Sequence, residues 1–194
     1  MTKRITISTL DAMKASGDKF VMITAYDATF ARLASEAGAE TILVGDSLGM
    51  VLQGHETTIP VSLDAMVYHT ECVARAKPRS LIVADLPFMS FSNPDDALHA
   101  STQLMQAGAQ MVKLEGGTWL SDSINQLVER GVPVCAHLGL TPQSVNVFGG
   151  YRVQGRTPKA AKSILADAVE IQDAGASLLV LECIPAELAR DIAS

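Results

Sequence analysis

Short apolar runs alternate along this chain with longer segments whose apolar residues recur at helical spacing. The runs Phe20–Thr24, Thr41–Val44, Leu81–Ala84, Met111–Leu114, Pro133–His137 and Leu178–Leu181 are nearly continuous in apolar character, as in strands covered on both faces. Thr41 and Lys113 are polar interruptions. One phrase precedes three of these runs: Glu36-Ala37-Gly38-Ala39, Gln106-Ala107-Gly108-Ala109 and Asp173-Ala174-Gly175-Ala176. Its glycine stands where a helix needs a left-handed residue to end. The runs that follow stop at or near Asp46, Glu115 and Glu182. Each copy therefore reads as a helix end, a turn, and a buried strand closed by a carboxylate.

The intervening segments read as helices. A short leading helix covers Ser8 to Met13. Asp27 caps a helix whose Phe30, Ala34 and Ala37 share a face. Further helices span Ser62–Ala76 and Thr118–Arg130, and others start at Asn93-Pro94-Asp95-Asp96 and at Thr157-Pro158. In the first of those starts, a cap, a proline at the first position and two acids all favour the helix. Strict alternation of strand and helix predicts an α/β fold with a parallel sheet, doubly wound or closed. No polar linker divides residues 1–194, so a single domain is expected. A closed barrel needs eight strands and typically about 250 residues. Six strands and a helix at Ala186–Ser194 imply a (βα)8 TIM-type barrel whose last two βα units are absent from this chain.

Composition narrows the functional classes. The chain is 48% hydrophobic and 5% aromatic, which suits a helix-wrapped parallel sheet. Its net charge is −6 and no basic cluster stands out, which argues against nucleic acid and anionic membranes as partners. The apolar runs fall far short of the roughly 20 residues of a membrane span. Met1–Arg4 and the polar stretch after it do not resemble a signal-peptide core. Cys72, Cys135 and Cys183 form no CxxC pair, and a reducing cytoplasm is the simplest expectation.

The chemistry gathers at the strand ends. Asp46, Asp85, Glu115 and Glu182 end four strands, on the face where barrels carry their sites. Lys113 lies two positions before Glu115, so both side chains share one face of their strand. A lysine in an apolar strand is costly unless paired or functional. Clustered carboxylates without paired Cys or His point to Mg²⁺ rather than Zn²⁺. His137 ends the fifth strand and is a supporting candidate; His55, His69 and His99 have weaker claims. Cys183 is expected in the core, and Trp119 in packing. Two long loops, Ser47–Pro60 and Leu138–Arg156, are functional candidates or glycine-rich surface turns.

The segments Ile23–Asp27, Leu43–Gly49, Ala84–Phe88, Val112–Gly117, His137–Ser144, Phe148–Tyr151 and Leu181–Cys183 together resemble the ketopantoate (3-methyl-2-oxobutanoate) hydroxymethyltransferase family. The resemblance implies a barrel of the phosphoenolpyruvate-utilising superfamily and a homo-oligomer, typically a decamer. It implies transfer of a hydroxymethyl group from 5,10-methylenetetrahydrofolate to 3-methyl-2-oxobutanoate, giving 2-dehydropantoate for pantothenate synthesis. By motif, Asp46 and Asp85 match the family's Mg²⁺ ligands and Glu115 its more distant metal-site acid. Asp46, Ser47, Asp85 and Lys113 match the keto-acid contacts, and Glu182 matches the catalytic base acting on a Mg²⁺-stabilised enolate. The alternatives are another Mg²⁺-dependent oxo-acid lyase, a Schiff-base aldolase using Lys113, and a catalytically silent barrel serving as a scaffold. Lyases of that type place a cysteine in a lid loop, and neither long loop here contains one.

Overall fold

The computed structural model describes residues 4–194, so Met1–Lys3 of the polar leader lie outside the described residues. Six strands, β1 (Met22–Thr24), β2 (Thr41–Val44), β3 (Leu81–Asp85), β4 (Met111–Glu115), β5 (Val134–Gly139) and β6 (Leu178–Glu182), form one sheet. They lie side by side in chain order, and every neighbouring pair is parallel. The crossovers are helical: α1 (Ile7–Ser16) leads, followed by α2 (Ala28–Glu36), α3 (Leu48–Val51), α4 (Leu63–Arg75), α5 (Pro94–Ala107), α6 (Ser121–Glu129), α7 (Val145–Phe148), α8 (Pro158–Asp173) and α9 (Ala186–Ala193). No helix among the described residues is long and apolar enough to cross a membrane.

Parallel strands taken in chain order, with right-handed crossovers, put every connecting helix on one face of the sheet. The other face must then bury its side chains against itself, which makes a partial barrel. Two cores reflect this division. The outer core joins Ile42, Val44, Ile82, Ala84, Val112 and Leu114 to the helices. The inner core joins Leu81, Val83, Met111 and Cys135 to Ile5 and Leu10, so α1 and its leader plug the N-terminal end.

Local chemistry explains the element boundaries. Side-chain oxygens of Asp27, Ser62, Asn93 and Thr157 accept backbone N–H groups at the starts of α2, α4, α5 and α8. Gly38, Gly108 and Gly175 adopt the left-handed conformation expected of the repeated phrase (φ 99°, 113° and 107°). The strands β3, β4 and β6 extend through their terminal acids because ladder pairing continues there; an apolar pattern alone stops one residue short. The two long loops contain order: α3 sits in the first, and a 3-10 turn (Pro142–Ser144) plus α7 sit in the second. Register then sets the levels of the site. Asp85 pairs with Lys113, Glu115 with His137, and Gly139 with Glu182.

Candidate active site

At the C-terminal end of the sheet, register turns four separate strand ends into one cluster. Lys113 Nζ lies 2.8 Å from Asp85 Oδ1 and 3.7 Å from Glu115 Oε1. His137 bridges the next two acids, its Nδ1 3.3 Å from Glu115 Oε1 and its Nε2 3.4 Å from Glu182 Oε2. Asp46 follows β2, and its main-chain N–H donates to Asp85 Oδ2 at 3.1 Å. Ser47 shares a hydrogen bond of 2.9 Å with the Tyr26 hydroxyl. Asp46, Asp85, Lys113, Glu115 and His137 are all buried.

Burial and like charge dominate the electrostatics. Desolvation, reinforced by Asp85, pushes the Asp46 carboxyl up to about 7 despite the pull of Lys113. Burial also raises Asp85, against the lowering effect of the adjacent ammonium. For Glu115, burial is outweighed by His137 and Lys113, and its carboxyl is held below the usual range. For Lys113, burial is outweighed by Asp85, Glu115 and Asp46, and the ammonium is held above its ordinary value. His137 follows the same logic: the two flanking glutamates overcome burial and raise it.

The family profile for ketopantoate hydroxymethyltransferase matches residues 4–194. A 3-methyl-2-oxobutanoate hydroxymethyltransferase of Marinobacter nauticus is 60% identical over 97% of this chain and 71% of its own. A second relative so named, from Pseudomonas entomophila, is 58% identical over the same shares. The chain belongs to the ketopantoate hydroxymethyltransferase family. Among solved structures, a 2,3-dimethylmalate lyase of the PEP mutase/isocitrate lyase superfamily superposes with a TM-score of 0.67 at 19% identity, covering 96% of this chain and 67% of that one. A phosphonopyruvate hydrolase does so with 0.69 at 19%, covering 94% and 63%. These likenesses show the fold: α/β with a parallel sheet, as in that superfamily.

Within this family member, the residues expected from the sequence converge, with corrections at Cys183 and Trp119. Glu182 is half-buried, its side chain 39% exposed, because β6 lies at the edge of the sheet. Cys183 is not a core residue. It is exposed, since its backbone leaves the strand with φ 47° and abandons the alternation that would have turned it inward. Trp119 is stacked on Phe91 at 6.0 Å yet is 62% exposed. Gln143 enters the site without any signal of residue type. It lies in the 3-10 turn after β5, within a segment whose polar residues look like ordinary loop. Its amide Nε2 donates to Asp46 Oδ2 at 2.8 Å and to the Leu86 carbonyl at 2.9 Å, and its main-chain N–H donates to Glu115 Oε2 at 3.0 Å.

The cluster suits a hard cation. Three buried carboxylates face one ammonium, so full ionisation leaves negative charge without a partner. Both oxygens of Glu115 are engaged by the protein. Asp46 Oδ1 has no hydrogen-bond partner among the described residues, and Asp85 Oδ1 meets Lys113 without an aligned hydrogen bond. Asp46 Oδ1 could hold a cation, and Asp85 Oδ1 could do so while shared with the Lys113 ammonium 2.8 Å away. No group of three His, Cys, Asp or Glu closes on one point among the described residues. Mg²⁺ does not require one, since it is commonly bound through one or two carboxylates plus water or substrate oxygens. Two surface clefts elsewhere, of about 830 and 580 Å³, are lined by exposed charges such as Lys77, Arg79 and Arg75 and contain no buried ion.

Proposed function

We propose that the chain transfers a hydroxymethyl group from 5,10-methylenetetrahydrofolate to 3-methyl-2-oxobutanoate, giving 2-dehydropantoate in pantothenate synthesis. The observation that carries this reading is the convergence of Asp46, Asp85, Lys113, Glu115, His137 and Glu182 at one sheet end, in a chain about 60% identical to relatives so named. A Mg²⁺ ion held by Asp46 and Asp85, with Glu115 as the more distant acid, would supply Lewis-acid stabilisation of charge on the substrate's keto oxygen.

The residues have separable tasks in this proposal. Lys113, held protonated, faces the substrate carboxylate together with Ser47. Glu182, the most exposed acid of the group, removes the C3 proton. His137 orients Glu182 from the Glu115 side and offsets the charge between them. A carbon–carbon bond then forms between C3 and the donor's methylene carbon, that carbon's bonds to the two folate nitrogens break, water supplies the hydroxyl oxygen, and tetrahydrofolate leaves with the C3 proton and one proton of water on its nitrogens. The inner core plugged by Ile5 and Leu10 gives these steps a packed floor. The homodecamer and the cytoplasmic location belong to the same proposal; the free thiols of Cys72, Cys135 and Cys183 agree with the latter.

The test separates proton removal from folate chemistry. Active full-length enzyme with Mg²⁺ and 3-methyl-2-oxobutanoate should exchange the C3 proton with D₂O without folate, followed by NMR. Glu182→Gln should slow this exchange by roughly a hundredfold or more, the usual scale for loss of a general base. Exchange at the normal rate in Glu182→Gln would reject Glu182 as the base and make His137 the next candidate.

A further inference from the structure

Gln143 ties three other strand ends to the end of β5 through one residue. Its main-chain N–H is committed to Glu115 Oε2, and both protons of its amide are committed to Asp46 Oδ2 and to the Leu86 carbonyl. The Leu86 carbonyl can only accept, so the amide nitrogen must be the atom facing these partners. The residue is 7% exposed, which leaves its side chain little freedom to do anything else. Asp46 bears the consequence. Its Oδ2 is held by the amide while its Oδ1 has no hydrogen-bond partner among the described residues. A carboxylate held in this way offers its free Oδ1 to a cation more readily than the engaged Oδ2.

That distinction separates the hard cations. Mg²⁺ takes near-octahedral, single-oxygen ligands at short range, whereas Ca²⁺ accepts more oxygens and commonly takes both from one carboxylate. We infer that Gln143 is a positioning residue that makes Asp46 a one-oxygen ligand and thereby sets the site's preference for Mg²⁺ over Ca²⁺. The inference rests on the metal reading proposed above. It assigns Gln143 no contact with substrate, and it acts through Asp46 and, by its main chain, through Glu115.

The experiment is calorimetric titration of the full-length, chelator-stripped enzyme with Mg²⁺ alone and with Ca²⁺ alone. Wild type should bind Mg²⁺ more tightly than Ca²⁺, and Asp85→Ala should lose both. Gln143→Leu removes the side-chain donors at similar volume and keeps the main-chain bond to Glu115. It should lose Mg²⁺ affinity by about 10–100-fold, the usual effect of losing an outer-shell partner. Ca²⁺ should lose far less, because Asp46 Oδ2 becomes available to it. Gln143→Asn keeps the main-chain bond but holds its amide one methylene short of Asp46; it should show the same shift in selectivity, and it serves if the leucine variant does not fold. An equal loss for both ions, or no loss for either, would overturn the inference while leaving the metal site standing. Wild type with no Mg²⁺ binding, or Asp85→Ala with normal binding, would overturn the metal reading and this inference with it.

Discussion

Lys113 shows how one residue's surroundings decide between two chemistries. A lysine serves as a Schiff-base nucleophile when burial lowers its basicity and leaves the amine neutral. Here burial acts in that direction, but Asp85 at 2.8 Å, with Glu115 and Asp46 behind it, more than reverses it. The side chain is an ammonium and a poor nucleophile. Lys113→Arg should retain weak activity, because it keeps the charge and changes the shape. Lys113→Met leaves buried acids without their counter-ion and should destabilise the fold by about 3–5 kcal/mol, the usual range for breaking a buried pair. Borohydride trapping followed by mass spectrometry checks the chemical half: a substrate adduct on Lys113 would overturn the electrostatic role.

At the scale of the element, β5 and the turn after it control how the base is presented. Gly139 ends β5 with φ 92°, and the next N–H, that of Leu140, donates to the Glu182 carbonyl at 2.8 Å. A Cβ at Gly139 would collide with that same carbonyl oxygen. Gly149, at the end of α7, also has positive φ (67°) but opens onto free space. The two positions therefore separate backbone strain from steric conflict. Gly149→Ala should cost about 1 kcal/mol, the ordinary penalty for a left-handed alanine. Gly139→Ala should cost about 2 kcal/mol or more, since β6 must also move, and should impair C3-proton exchange with it. Urea midpoints at unchanged slope measure the difference. Equal losses in the two variants would show that the β5–β6 approach carries no special load.

For the molecule as a whole, the two ends of the sheet are the exposed feature. Among the described residues β1 pairs only with β2 and β6 only with β5. Beside the first edge, Val21 is 53% exposed, and on α2 Phe30 and Leu33 are 64% and 53% exposed. We propose that an eight-stranded (βα)8 barrel forms when two further βα units join β6 to β1 and cover these surfaces. Open parallel edges with apolar flanks invite pairing between chains. Residues 1–194 prepared alone should then self-associate and melt over a broad range, by light scattering and calorimetry. A monomeric preparation that melts sharply would contradict this.

Local pattern by itself determined the alternation of six strands with helices, the caps at Asp27 and Asn93, the helix starts at Ser62 and Thr157, and the placing of Asp46, Asp85, Glu115 and Glu182 at strand ends. Those features depend on residues within one helical turn or one strand of each other, so the chain displays them directly. Tertiary structure decided what stands beside what. Sheet register set Asp85 against Lys113 and Glu115 against His137. The edge position of β6 left Glu182 half-buried, and a change of backbone hand turned Cys183 outward. Gln143 reaches Asp46 across 97 positions of chain. A contact over that separation has no period, spacing or residue type to announce it, because it exists only once the sheet has brought the ends of β2 and β5 together.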